Sequence, residues 1–169
     1  MLSKFAAGRS GKLNGREQCR QYMLVAYPEA TNCSGVEVHP IELASFEAKE
    51  GMEETMIRWM HRIISTQPQF QLELVQWTDL HTGQAQMSIP DKTAFQQLAR
   101  QLKVVSQYIN SCDCAEMHFN IRPVTGLLKA HPDSDFQGIY TIRAFHLLKK
   151  NHDFDTSRSV SVFALRPGV

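Results

Sequence analysis

Apolar and polar positions along this chain fall into short alternating runs and two longer stretches with helical spacing. Tyr22 to Tyr27 (YMLVAY) is a compact apolar strand ended by Pro28, and a polar turn with Asn32, Ser34 and Gly35 follows. Val36 to Phe46 alternates on both sides of Pro40, which predicts a second strand, bulged or at a sheet edge. Met52, Met56, Trp59, Met60, Ile63 and Ile64 recur at three- and four-residue steps and predict a helix over 52–66 with a Met and Trp stripe in the core. Phe70 to Trp77 alternates as a half-buried strand, and Ala85 to Ile89 is a shorter one. A second helix is expected to start at Pro90-Asp91 with Asp91 as N-cap. Its buried stripe is Phe95, Leu98, Ala99, Leu102, Val105 and Ile109. Strands follow at Met117–Ile121, Ile139–Leu148 and Ser159–Leu165, with Arg122 to Gly126 interrupting or bending the first.

The predicted order is β-β-α-β-β-α-β-β-β. It implies an α+β fold of two pseudo-symmetric halves of antiparallel strands, with helices packed outside. At 169 residues, 43% of them hydrophobic, the chain suits one domain with a real core. The expected division is a flexible, basic N-terminal tail over 1–20 and a single domain over 21–169.

Charge removes some function classes. Eighteen Lys and Arg against seventeen Asp and Glu leave +1, which gives no global grip on nucleic acid and no reason to expect DNA as a partner. The apolar runs are too short to span a bilayer. The first twenty residues carry five Lys or Arg but no apolar core of a secretory signal, so the expected location is the cytoplasm with reduced thiols. Gly8-Arg9-Ser10-Gly11-Lys12 fails the spacing of a phosphate loop. Of the four cysteines (Cys19, Cys33, Cys112, Cys114), Cys112-Asp113-Cys114 has one intervening residue where zinc sites prefer two. It reads as a helix-end turn, and neither a metal nor another cofactor is expected.

Imidazole titrates near neutral pH, so the seven histidines are the natural candidates for proton transfer. His61 falls on the polar side of the first helix. His81, His131 and His152 fall in polar turns and loops, and His146 in a long strand where packing is the default. His39 and His118 remain, each at a strand, one in each half, and each near a proline or an Arg-Pro pair.

The stretch Ile41 to Trp59 (IELASFEAKEGMEETMIRW), the strand pairs around it and the closing SVSVFAL resemble the 2H phosphoesterase superfamily. That group includes the 2'-5' RNA ligase-like (LigT-like) proteins and the cyclic nucleotide phosphodiesterases. The resemblance implies two His-x-Thr/Ser motifs lining a central cleft. One imidazole acts as base and the other as acid on a cyclic or bridging phosphate, while the hydroxyls hold phosphoryl oxygens. Residues two apart on a strand share a face, so one motif brings imidazole and hydroxyl to the same cleft.

Both motifs depart from that pattern. Where the family reads Pro-His-Ile-Thr, this chain reads His39-Pro40-Ile41-Glu42, so Pro40 takes the histidine position and Glu42 the threonine position. In the second half, either His118-Phe119-Asn120-Ile121 is the motif with Asn for Thr, or Arg122-Pro123-Val124-Thr125 matches Arg-Pro-His-x-Thr without its histidine. The resemblance therefore implies His39 and His118 as catalytic candidates, with Asn120, Arg122, Thr125 and Arg143 as ligand-binding candidates. The expected function is a catalytically impaired 2H phosphoesterase-like protein that binds a small nucleotide or RNA end. The alternatives are an active 2',3'-cyclic phosphodiesterase or RNA-end phosphoesterase, and a non-catalytic partner-binding protein.

Overall fold

Both amphipathic stretches fold as helices, each a little shorter than the pattern that marks it. The computed structural model describes residues 18–30, 40–124, 136–151 and 156–168. Helix α1 spans Glu53–Ile64 behind a 3-10 turn at Glu50–Met52, and α2 spans Thr93–Ser111. Asp91 is not the N-cap of α2. It sits one residue further out, and its Oδ1 accepts from the Thr93 amide at 3.0 Å and the Thr93 hydroxyl at 2.6 Å. The α2 stripe is buried as expected, from Phe95 to Ile109. In α1 the methionines and Ile64 are buried, but Trp59 is 41% exposed, so the Trp is not part of the core.

The strands are β1 (Cys19–Ala26), β2 (Glu29–Ala30), β3 (Ile41–Lys49), β4 (Phe70–Thr78), β5 (Ala85–Ser88), β6 (Arg122–Pro123), β7 (Phe136–Ile142), β8 (Ala144–Lys150) and β9 (Ser157–Ala164). They form a five-stranded sheet in the order β6-β3-β1-β8-β9 and a four-stranded sheet in the order β2-β7-β4-β5. Every pairing of named strands is antiparallel.

Three differences from the sequence reading matter for the site. The run expected as one strand over Ile139–Leu148 breaks at Arg143, so β7 lies in the small sheet and β8 in the large one. The chain also crosses between the sheets at Tyr27-Pro28, from β1 to the short β2. Third, the strand expected over Met117–Ile121 is reduced to a single bridge between Ser45 and His118, and Arg122-Pro123, expected to break that strand, pairs with β3 as β6.

The core joins both sheets through α2. The Phe95 ring meets Phe70 of β4 edge-on at 5.2 Å and Phe145 of β8 at 6.0 Å. Leu24, Leu43, Leu74, Met56 and Phe163 are fully buried in the same cluster. Strand alternation then sends the other side chains of β1, β3 and β8 to the face away from this core, where the candidate site lies.

Candidate functional site

Register builds the site in rows across the five-stranded sheet. One row runs Arg122, Glu42, Val25, His146, Val162, and the next runs His118, Ser45, Met23, Leu148, Ser159. The rows are two residues apart on β1, or about 7 Å. A bulge makes this possible: Leu24 pairs with Ala44 but Val25 pairs with Glu42, so β3 carries one extra residue there. Without the bulge Glu42 would point to the opposite face.

His118 is positioned by its neighbours. At the end of α2, Asp113 takes a left-handed conformation (φ 64°) and turns the chain back. The Met117 amide is held by the Ser106 hydroxyl at 3.0 Å, and His118 then exchanges two backbone hydrogen bonds of 2.9 Å with Ser45. Its side chain is exposed on the wall of a groove of about 640 Å³. Met23 and Leu148 form an apolar floor, and Gln21, Ser45, Glu47, Glu116, Lys150 and Ser157 supply polar groups around it.

The two segments that resemble the family motifs lie side by side. Ile41 pairs with Pro123 and Glu42 with Arg122, and the Val124 amide donates to the Pro40 carbonyl at 2.8 Å. Glu42, 2% exposed, is the one buried acidic side chain among the described residues. The Arg122 Nε donates to its Oε2 at 2.8 Å while the rest of the guanidinium stays largely exposed. Charge-assisted pairing of this kind is what makes a buried carboxylate tolerable.

His146 shares the Glu42 row but is half-buried, with its ring edge-on to Tyr27 at 4.7 Å. Burial lowers its pKa, which keeps it neutral at pH 7. His118 and His146 are three strand spacings and one row apart, on the order of 16 Å, too far to flank one phosphate.

The remaining candidates divide plainly. Asn120 is exposed beside the groove segment. Arg143 stands at the crossing between sheets, where its Nε binds Glu29 at 2.8 Å. His39 and Thr125 lie outside the described residues, as do His131 and His152. His61 and His81 are exposed, and Cys112 to Cys114 form a helix-end turn. Among the described residues no group of three or more His, Cys, Asp or Glu is arranged to hold a metal ion. No described helix is long and apolar enough to cross a membrane.

The sequence reading missed two features. The first is the partner of Glu42, which takes the threonine position of the resemblance: nothing in the sequence pointed to Arg122, eighty residues away. The second is Lys149, which is 5% exposed, with its Nζ donating to Glu50 at 2.7 Å and Glu53 at 2.9 Å. Tyr22 completes that cluster by donating to Glu53 at 2.7 Å. Burial alone would lower the Lys149 pKa, but the two carboxylates outweigh it and raise it. Burial likewise favours protonated Glu53, but the bonds from Lys149 and Tyr22 win and lower its pKa.

No family model matches the chain, and no curated protein matches it. Solved structures do. E. coli LigT complexed with 3'-AMP aligns at 15% identity and a TM-score of 0.53, over 88% of this chain and 99% of that one. A structure described as a phosphoesterase aligns at 14% identity and 0.54, over 88% and 99%. E. coli LigT in apo form aligns at 16% and 0.54, over 89% and 99%. At such identities the likeness is one of fold. Two antiparallel sheets, the crossings between them and a pair of helices over a shared core give this chain a LigT-like fold.

Proposed function

We propose that this chain binds a small nucleotide or an RNA end in the groove of its five-stranded sheet, with its 2H-type chemistry impaired. The observation that carries this reading is the Glu42–Arg122 pair. At the position where the resemblance calls for a phosphate-holding hydroxyl, a buried carboxylate stands instead. It would repel a phosphoryl oxygen placed against it. Pro40 occupies the matching histidine position. General acid and base assistance is worth roughly 10²–10⁴-fold per group, so an incomplete pair costs most of the turnover.

What remains suits binding. The exposed edge of Arg122 offers donors to an anion while its Nε stays on Glu42. Met23 and Leu148 offer an apolar floor for a base, with His118 as a polar contact on the wall and Asn120 exposed two residues further along the chain. E. coli LigT has been crystallised with 3'-AMP and with NADP+, which supports nucleotides as the ligand class to try first.

The test is calorimetric titration with 3'-AMP, 2',3'-cyclic nucleotides and RNA ends at low salt, with chromatography of the same mixtures. Saturable binding without product, weakened in Arg122→Ala, is the expected result. Turnover of a cyclic phosphate that disappears in His118→Ala would replace this reading with the active phosphodiesterase. No binding at low salt, where phosphate contacts are strongest, would leave the partner-binding alternative.

A further inference from the structure

The groove of the five-stranded sheet has walls of opposite charge. Beside the row of His118, Ser45, Met23 and Leu148, a second row lies on the same face. It begins with Glu47 of β3, whose partner on β1 is Gln21. Tyr22 pairs with Lys149, so the next step of that antiparallel register brings Gln21 to Lys150 of β8. Lys150 pairs in turn with Ser157 of β9. Glu116, two residues before His118, lines the groove on the Glu47 side. Glu47, Glu116 and Lys150 are all exposed along one groove of about 640 Å³, within the range of pockets that hold small ligands.

We propose that this groove prefers guanine among the bases, an inference that rests on the reading of the groove as a nucleotide site. The carboxylates of Glu47 and Glu116 only accept hydrogen bonds, and the Lys150 ammonium only donates them. The Cα atoms of Glu47 and Lys150 are two strand spacings apart, about 10 Å, with β1 between them. A flat base resting on Met23 and Leu148 therefore meets acceptors on one side and a donor on the other. Guanine carries its N1–H and N2 amino donors next to each other, and its O6 and N7 acceptors on the major-groove edge. Adenine sets the acceptor N1 beside its amino group, so a carboxylate that takes the amino hydrogen also faces a lone pair. Cytosine does the same with N3, and uracil has a single N–H between two carbonyls. Guanine alone offers a carboxylate two adjacent donors and still has acceptors left for a lysine.

The same placement gives the phosphate a position. The His118 row is two residues further along β1, about 7 Å from the Glu47 row and comparable to the reach from a base to its 3'-phosphate. The phosphate then falls on the side of the groove towards Arg122, away from the two carboxylates.

The test is calorimetric titration of the full chain with the 3'-monophosphates of guanosine, adenosine, cytidine and uridine at low salt. The guanosine form is expected to bind about tenfold more tightly than the adenosine form, the discrimination of one bidentate base contact. Inosine 3'-monophosphate, which lacks the N2 amino group, should fall between them. Glu47→Gln combined with Glu116→Gln, both at exposed positions, should bring guanosine within about twofold of adenosine, whereas Arg122→Ala should weaken all four together. Equal affinities in the wild type, or a guanosine preference kept in the double variant, would overturn the base preference while the nucleotide reading stands. Absence of binding by all four would overturn both.

Discussion

Removing Arg122 leaves the Glu42 carboxylate buried without its cation. The Glu42 side chain is 3% exposed and that of Arg122 68%, with Nε and Oε2 2.8 Å apart. Breaking a fully buried pair costs about 3–5 kcal/mol. A fully exposed pair is worth only about 0.2–1 kcal/mol. Solvent reaches one partner here and not the other, which places Arg122→Ala on the order of 2 kcal/mol. For a chain of this length that corresponds to a melting midpoint lower by about 4–8 °C. The paired change Glu42→Leu with Arg122→Ala removes the stranded charge as well as its partner, and is expected to recover most of the loss. Urea unfolding followed by circular dichroism on the wild type, both single variants and the double variant closes the cycle. Arg122→Ala within 0.5 kcal/mol of the wild type, or a double variant as unstable as Arg122→Ala, would refute the reasoning, because the carboxylate would then not depend on that guanidinium.

Other outcomes follow from the same structure. Phe95→Ala removes the ring that joins the two sheets and is expected to cost about 3–5 kcal/mol in the same assay. The Glu50 and Glu53 carboxyls have lowered pKa values, Glu50 through its hydrogen bond from Lys149, so their contribution is complete above their unfolded value of 4.5 and is lost as pH falls through the folded values. Wild type should therefore lose stability below about pH 4.5 more steeply than Lys149→Met, which a series of unfolding midpoints against pH would show. Nucleotide affinity should fall with added salt, and Arg122→Ala should flatten that slope, as read by titration at several salt concentrations.

How far the sequence could be read depended on the range of each interaction. Periodicity over a few residues placed both helices and most strands, because a buried stripe such as Phe95 to Ile109 is a local signal. It did not place the break at Arg143, since alternation continues through a strand that changes sheets. The bulge expected at Pro40 falls instead at Leu43, a position the alternation did not mark although it decides which face Glu42 presents. The burial of Lys149 has no local signal, because its partners stand nearly a hundred residues earlier. His118 was legible as a strand-edge histidine, but that it lines a groove depends on the bridge to Ser45.

The place of β1 has a consequence for how the molecule is made. It lies in the interior of its sheet, with Leu24 between Ala44 of β3 and Leu147 of β8. During synthesis β3 emerges soon after it, but β8 comes only after residues 50–143 have followed. Until then one flank of the most apolar strand keeps its backbone donors and acceptors unmatched, an open template for another chain. Pairings that distant in sequence form slowly, so nascent or C-terminally shortened chains will clump more readily than the full-length product.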